Sequence, residues 1–270
     1  MVPPMLMQLN VGYYQQSCSA AKSIVKKVIY RSLSANPNLG AGLIRLHFHD
    51  DFVRGCDALI LLKSRQGKET ETKSVVSTEL RGFKVVEADK QVVEAQCPEC
   101  GNIELDPRGI PYDVPRGRYD VVVSLEDEPI KKLSNPMSIL FELGDKFVDQ
   151  GLTVEDMVIL SGAHSIGDPS MDPQLAEVLK DICPTNSTTP ATSLLNFQTP
   201  NRLDNRFYVN VQERRGVFRS DQVLLDSHIT KRLVNEFTRD DEAWKHQFVV
   251  AMVLGWVLLP GLIPFPSKPK

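Results

Sequence analysis

The sequence predicts a mostly α-helical protein. Amphipathic segments recur along the chain with apolar residues spaced three and four apart, and the sequence shows neither an internal repeat nor a succession of strand-like segments. In residues 20–33, one side of a helix carries Ile24, Val25, Val28 and Ile29. The chain has 270 residues, of which 42% are hydrophobic, enough for one large or two small domains with a substantial core.

Further segments show helical spacing or helical end signals. They are residues 37–52, 83–96, 137–149, 151–167, 204–215 and 228–238. Thr153 is followed three residues later by Asp156, which predicts a capping box with Asp in place of the usual Glu or Gln. The helix that begins there is expected to place Met157, Leu160 and His164 on one face.

Charge and hydropathy exclude some classes of function. A formal net charge of −3 gives no reason to expect a nucleic-acid partner. No apolar run reaches the roughly 18 residues that span a membrane. The nearest candidate, "FVVAMVLGWVLLPGLIPF", is broken by Pro260 and Gly261, which predicts a buried helix and an irregular tail. The start, "MVPPMLMQLN", lacks the features of a signal peptide.

The cysteines leave their chemistry open. There are five of them, at Cys18, Cys56, Cys97, Cys100 and Cys183. An odd number leaves at least one free thiol if disulfides form. The CxxC at residues 97–100 suits a redox pair or half of a zinc site, but nothing nearby completes four ligands, which disfavours structural zinc. A glycosylation sequon begins at Asn186 and gives weak support for secretion.

The stretch "LIRLHFHDDFVRGCDALILL", residues 43–62, admits two interpretations. As a strand it would place His47 and His49 on one face, the HxH pair of a metallohydrolase. As a helix it separates those rings by about 200° and stacks Arg45 with His49 instead. Length, helical flanks and Pro37 near the start favour the helix. A buried Arg–His pair that only stabilises a core remains an alternative.

Several motifs then resemble one family. "RLHFHDDFVRGCDALILL" resembles the distal-helix motif of the secretory plant (class III) haem peroxidases, and "EDMVILSGAHSIG" resembles their proximal haem-ligand motif. "GYYQQSC", "LRGFKVVEADK", "PYDVPRGRYD", "TPNRLDNRFYVNV" and "RGVFRSDQVLL" stand in the family's order, over roughly residues 10 to 260. The resemblance implies an all-α fold of about ten helices, a single domain over residues 1–270. Its haem cleft would lie between an N-terminal distal and a C-terminal proximal half.

The resemblance also assigns roles around haem b. His164 would be the proximal iron ligand, and Asp221 would accept its other N–H. His49 would act as the acid–base towards peroxide, and Arg45 would stabilise the developing negative charge. Phe48 would pack over the haem.

Two calcium sites are implied as well. The distal ligands would be Asp50, Asp57 and the backbone carbonyls of Val53 and Gly55. The proximal ligands would be Ser165, Asn196, Thr199 and Asp204. Leu59 stands where the family has a Ser ligand, and Asn196 stands for an Asp. Since calcium prefers six to eight oxygens, we expect reduced affinity at both sites.

This chain departs from the family at other positions. Asp51 replaces the Cys that pairs with the equivalent of Cys56, and among the four family disulfides only that of Cys18 with Cys97 keeps both partners. The Asn that orients the distal His falls at Ser77 or Val76, and only a Ser side chain could accept the imidazole N–H. In addition, Ser134 replaces the Pro of the donor-access motif.

The sequence therefore predicts a haem-dependent peroxidase that reduces hydrogen peroxide and oxidises phenolic-type donors by one-electron steps. The alternatives are a catalytically impaired, non-enzymatic peroxidase-like protein and, more distantly, the metallohydrolase. The expected partners are hydrogen peroxide and small aromatic donors, with neither nucleic acid nor membrane, and the protein is expected to be monomeric. The resemblance implies a secreted or vacuolar location, although no signal peptide is visible.

Overall fold

The computed structural model is α-helical, as predicted. It describes residues 10–55, 58–64, 69–77, 80–97, 115–116, 123–165, 199 and 202–258. Over those residues the ten α-helices are α1 (Ala21–Ala35), α2 (Leu39–Arg54), α3 (Phe83–Gln96), α4 (Glu128–Lys132), α5 (Leu140–Asp149), α6 (Val154–Ser161), α7 (Arg206–Gln212), α8 (Arg219–Gln222), α9 (His228–Arg239) and α10 (Asp241–Leu258). Two short strands, β1 (Asn10–Val11) and β2 (Pro115–Arg116), pair antiparallel. The predicted all-α class and helix number are confirmed.

The chain divides into two compact units. One is formed by Met1–Leu133 with Val253–Lys270, and the other by Ser134–Met252. Each has buried apolar residues of its own.

In the first unit, α1 packs against α3 as their amphipathic patterns require. The buried residues of this core are Cys18, Ala21, Ile24, Val25, Ile29, Leu33, Leu43, Val85 and Val93. A disulfide joins Cys18, just before α1, to Cys97, just after α3. The one pairing that the sequence left possible is therefore confirmed, and it fastens the open ends of the two helices.

The stretch with two interpretations is a helix. α2 buries Leu43 and Leu46. Because residues two apart in an α-helix point about 200° apart, His47 and His49 lie on different sides of it. The metallohydrolase interpretation is therefore wrong, because the two rings cannot share a metal. Within the ranges that the structure describes, no group of three His, Cys, Asp or Glu residues could hold a metal ion. Pro37 precedes the helix, which begins two residues later than the sequence suggested.

The last residue of α2 is held by an ion pair. Nε and Nη2 of Arg54 donate to the two carboxylate oxygens of Glu128 on α4, at 2.7 and 2.5 Å. Both side chains are partly buried, and paired bonds of this kind are the stronger form of Arg–carboxylate contact. The contact anchors the C-terminal end of the helix that carries His49.

In the second unit, α6 begins with the predicted capping box. Thr153 Oγ1 accepts a hydrogen bond from the Asp156 N–H at 3.0 Å, and the Thr153 N–H donates to Asp156 Oδ2 at 2.9 Å. The helix ends earlier than expected, at Ser161. Residues Gly162–Ser165 form a 3₁₀ turn instead.

The apolar C-terminal segment forms the helix predicted for it. α10 begins with Asp241 and Glu242, and Trp244 and Ala251 are fully buried. Among the described helices, none has both the length and the apolar character needed to cross a membrane. The irregular tail expected around Pro260 lies outside the described residues.

A buried acid interrupts the core of the first unit. Asp89 stands four residues from both Val85 and Val93 on the buried face of α3, and only 2% of its surface is exposed. Its Oδ1 has no hydrogen-bond partner in the described part of the chain. Burial raises the pKa of Asp89 from 3.8 to about 6. Ionisation of Asp89 therefore opposes folding.

We expect Asp89→Asn to stabilise the protein near neutral pH. With an unfolded pKa of 3.8 and a folded pKa of about 6, the ionised carboxylate costs about 3 kcal/mol above pH 6, to an order of magnitude. This cost is absent where both states are protonated, below about pH 4, and grows as the pH rises from there to about 6. Urea unfolding of the two proteins between pH 4 and pH 8 measures it.

A matched control lies on the exposed side of the same helix. Glu87→Gln also removes one carboxylate from α3, but from a solvated position, so the unfolding free energy should change little. If the wild-type protein and Asp89→Asn lose or gain stability in parallel across this pH range, the carboxyl of Asp89 is not titrating in the core.

Candidate active site

α2 carries the first pair of predicted catalytic residues. Arg45 and His49 are one helical turn apart, so both side chains lie on the same side of the helix. Arg45 is exposed, and its Nη2 donates to the Val76 carbonyl at 3.3 Å. The imidazole of His49 is buried, with 5% of the residue exposed. An exposed guanidinium beside a buried imidazole differs from the fully buried structural pair that the sequence also allowed.

The buried imidazole is a neutral base. Burial, and to a lesser extent the positive charge of Arg45, lowers the pKa of His49 from 6.5 to about 3. Above about pH 4 the ring is therefore unprotonated and can accept a proton. A base already protonated at neutral pH could not do so.

The residue expected to orient His49 is close to Arg45 but makes no bond to the ring. Ser77 is 3% exposed and follows Val76, whose carbonyl bonds Arg45. Neither Ser77 Oγ nor His49 Nδ1 has a hydrogen-bond partner in the part of the chain that the structure describes. The expected imidazole bond is thus unmade, and two buried polar atoms are left in this region.

Phe48 borders this imidazole. Its ring lies edge-on to His49, with centroids 6.3 Å apart, and its centroid is 4.9 Å from that of Phe52. The side chain is only partly buried, which leaves part of its ring for another contact.

The second unit presents the other predicted imidazole. His164 lies in the 3₁₀ turn after α6, and its Nδ1 is 2.8 Å from Oδ1 of Asp221. Asp221 is 2% exposed, and its Oδ2 accepts the Phe218 N–H at 3.1 Å. Because an ionised carboxylate only accepts, the imidazole donates from Nδ1, and its lone pair is on Nε2. The structure thus brings His164 and Asp221 together, and their role towards haem stays a prediction.

Aromatic rings and partial exposure define what this imidazole can bind. Phe207 and Phe218 approach His164 edge-on, with centroid distances of 6.0 and 5.4 Å. The side chain of His164 nevertheless remains 40% exposed, in contrast to the buried Asp221. A fixed tautomer with an accessible ring and a carboxylate behind it is a donor set that suits a haem iron. These residues therefore fit haem.

The distal calcium ligands are described only in part. Asp50 Oδ2 and Oδ1 accept the N–H groups of Ala58 and Ile60 at 3.3 and 3.5 Å. Leu59 between them is buried and supplies no side-chain oxygen. The remaining described members of this set are buried at the end of α2: Val53 and Gly55. Asp57 lies outside the described residues, so the fit of the complete set stays a prediction.

The proximal calcium ligands converge, but they meet a cation of the protein's own. Thr199 Oγ1 donates to Asp204 Oδ1 at 3.1 Å, and the Asp204 N–H donates to Ser165 Oγ at 3.4 Å. Arg202 Nε lies 3.8 Å from Asp204 Oδ2. The described part of this set holds one carboxylate, and calcium usually takes six to eight oxygens, so the fit of the complete proximal set also stays a prediction. Asn196 lies outside the described residues.

Sequence reasoning missed two residues that contact the end of the helix before His164. Tyr208 and Trp244 are fully buried and hydrogen-bond to the end of α6. Their position could have been suspected from Gly162, because a Gly at the end of an apolar helix often marks a close approach of other groups.

Comparison with known proteins agrees with these motifs. A family model described as Peroxidase matches residues 25–240. Peroxidase 1 of Zea mays is 36% identical, over 91% of this chain and 77% of its own length. Peroxidase 5 of Vitis vinifera is 36% identical, over 91% of this chain and 85% of its own. Peroxidase 28 of Arabidopsis thaliana is 32% identical, over 93% and 88%. The chain therefore belongs to the peroxidase family, among the plant class III haem peroxidases that its motifs resemble.

Proposed function

We propose that this chain is a haem-dependent peroxidase that reduces hydrogen peroxide and oxidises small phenolic-type donors by one-electron steps. The observation that carries the haem assignment is the 2.8 Å bond between His164 Nδ1 and the buried Asp221. Bound haem would supply the iron that exchanges electrons with peroxide and donor. The family membership supports the peroxidase activity, and the resemblance of the motifs supports the donor class.

Asp221 would tune the ligand. A carboxylate that accepts the Nδ1 proton of a metal-binding imidazole fixes its tautomer and raises the basicity of Nε2. Asp221 can hold this position because its second oxygen is bonded to the Phe218 N–H, at the start of α8. His164 would therefore bind iron as an electron-rich ligand, which favours its oxidised states.

His49 and Arg45 would act on the peroxide. The neutral imidazole of His49 accepts one peroxide proton on a ring nitrogen and returns it to the departing oxygen. The guanidinium of Arg45 stabilises the negative charge that develops as the O–O bond breaks. Arg45 donates to the Val76 carbonyl at 3.3 Å, which supports placing its guanidinium on the same side of α2 as His49.

The resemblance supports the remaining proposals. We place the protein outside the cell or in the vacuole, as a monomer, with weakened calcium binding. Phe48 would contact the haem face. The distal calcium proposal rests on Asp50. The guanidinium of Arg202 beside Asp204 supports a lowered calcium affinity at the proximal site.

A haem titration tests the proposed function. We expect the apoprotein to develop a Soret band on addition of hemin, and His164→Ala to weaken the hemin affinity at least tenfold, since the iron loses its protein ligand. His228→Ala is the matched control, because it removes an exposed imidazole at the start of α9. Absorbance at the Soret maximum gives the affinities, and circular dichroism confirms that each variant is folded.

The opposite outcome supports the main alternative. A folded wild-type chain that gives no Soret change with hemin would be a non-enzymatic, peroxidase-like protein. Equal affinities for wild type and His164→Ala would leave haem binding intact but assign the wrong ligand. Oxidation of a simple phenol by the loaded wild-type protein and peroxide then tests the donor class.

A further inference from the structure

We propose that Tyr208 and Trp244 are positioning residues for His164. Their hydrogen bonds to the end of α6 stabilise the transition from this α-helix to the 3₁₀ turn that follows it. That turn places the imidazole of His164 next to Asp221. This inference rests on the proposed function, in which His164 binds the haem iron.

The end of α6 needs hydrogen-bond donors from outside the helix for its backbone carbonyl groups. The Gly162 N–H bonds the carbonyls of Ile159 and Leu160, three and two residues back, because the chain tightens there. In an α-helix that N–H would bond the carbonyl of Val158. The tightening leaves the Val158 carbonyl without this backbone donor at a buried helix end, where unpaired polar groups are costly.

Side chains from two other helices supply these hydrogen-bond donors. The Tyr208 hydroxyl, on α7, contacts the carbonyl oxygens of Val158 and Ile159 at 2.9 and 3.1 Å. Trp244 Nε1, on α10, donates to the Ile159 carbonyl at 3.1 Å. Both side chains are fully buried, so the Tyr208 hydroxyl and the Trp244 indole N–H each need a hydrogen-bond partner, as the carbonyl groups do.

The fit at the turn is tight enough to fix its geometry. A Cβ atom added to Gly162 would lie 2.6 Å from Trp244 Nε1 and 2.7 Å from the Tyr208 hydroxyl oxygen. Only a glycine allows the two donors to come this close. Because His164 follows two residues later, any movement of Gly162 displaces the imidazole relative to Asp221.

The same helix also supports the imidazole directly. Phe207, next to Tyr208 on α7, meets the His164 ring edge-on at 6.0 Å. The ring of Tyr208 contacts both Phe207 and Trp244, with centroids 5.0 and 6.0 Å away. Hydrogen bonds to the backbone and ring contacts to the imidazole therefore come from one packed group of residues.

The donors keep their protons over the working pH range. Burial raises the pKa of Tyr208 well above its usual value of 10. The indole N–H of Trp244 does not titrate in this range. The hydrogen bonds that these two groups donate are therefore kept at neutral pH.

Two conservative variants test the inference. Tyr208→Phe removes one hydroxyl, and Trp244→Phe removes the indole N–H, while an aromatic ring stays at each position. We expect the His164–Asp221 bond to weaken in both variants, which makes the ligand less basic and raises the midpoint potential of the bound haem. A tenfold change in the ratio of ferric to ferrous protein at fixed potential corresponds to 59 mV. The iron–imidazole stretching frequency, measured by resonance Raman spectroscopy, should fall in parallel.

Phe248→Leu is the matched control. Phe248 is buried and packs on Trp244, with ring centroids 5.3 Å apart, and the structure gives it no bond to α6. We expect this variant to lower the melting temperature while the potential and the stretching frequency stay at wild-type values. The inference is wrong if Tyr208→Phe and Trp244→Phe leave both quantities unchanged, or if Phe248→Leu shifts them equally.

A measurement without haem separates this inference from the proposed function. Amide hydrogen exchange in the apoprotein reports how firmly Gly162–Ser165 is held. We expect exchange there to accelerate at least tenfold in Tyr208→Phe and to stay unchanged in Phe248→Leu. If wild-type protein fails to bind hemin, the proposed function fails, and this exchange experiment alone decides whether Tyr208 and Trp244 fix the turn.

Discussion

His49→Ala slows the reaction with hydrogen peroxide by about 10²–10⁴-fold while haem remains bound, because general acid–base groups contribute that much to proton-transfer steps. Alanine can neither accept the peroxide proton nor return it. Since His164, the proposed iron ligand, is unchanged, hemin affinity should stay within a few-fold of wild type. Stopped-flow mixing of the loaded protein with peroxide measures the rate constant.

The control is on the same helix. His47→Ala removes a half-buried imidazole from the other side of α2, and we expect the peroxide rate to remain within about threefold of wild type, since His49 and Arg45 are unchanged. Equal slowing in both variants would show that the helix, rather than the base, had been damaged. An unchanged rate in His49→Ala would remove His49 from the mechanism.

The pH dependence gives a second check on His49. Its pKa is lowered to about 3 by burial and by Arg45, so the peroxide rate should be level from neutral pH down to about 4 and fall below that. Arg45→Gln removes one of the two causes and should move the inflection upward. An inflection near 6.5 in the wild-type protein would mean that the imidazole is solvated.

The helices could be predicted because local physics decides them. α1 and α3 each carry an apolar stripe at a spacing of three and four residues, and a stripe of this width must be buried against a partner. The start of α6 followed from Thr153 and Asp156, since the capping contacts join residues three apart. These signals need no knowledge of the rest of the fold.

Other features depend on contacts between distant segments. The periodic pattern continued through Gly162, yet α6 ends at Ser161, where donors on α7 and α10 reach the Ile159 carbonyl. Asp89 breaks the apolar stripe of α3, and charge alone would place it in water. It is buried because the helix is fixed by its other contacts.

The candidate site divides in the same way. Arg45 and His49 are four residues apart, so helical spacing alone brought them together, and the structure keeps them so. His164 and Asp221 are separated by 57 residues, and only the resemblance of two motifs to one family paired them. Neither helical spacing nor the family resemblance predicted the guanidinium of Arg202 beside Asp204. The resemblance concerned only the oxygen ligands of the proposed calcium site.

Loss of the Cys18–Cys97 disulfide should have the largest effect on stability. The bond spans 79 positions of sequence, and closing a loop of that length in the unfolded chain corresponds to about 4 kcal/mol in the chain-entropy model. This is a large fraction of the 5–15 kcal/mol by which domains are usually stable. An ion pair such as that of Arg54 with Glu128 contributes about 1 kcal/mol or less when partly exposed, so it cannot compensate.

The double variant Cys18→Ser/Cys97→Ser measures this effect without leaving a new free thiol. We expect its unfolding free energy in urea to be lower by about 4 kcal/mol, and its hydrogen exchange to rise first in α1 and α3, whose ends the bond joins. Reductant should bring wild type close to the variant and leave the variant unchanged, which excludes effects on the other three cysteines. A difference below about 1 kcal/mol would show that the packing of α1 on α3 holds these ends together without the bond. The chain would then tolerate the loss of family disulfides because its stability depends on none of them.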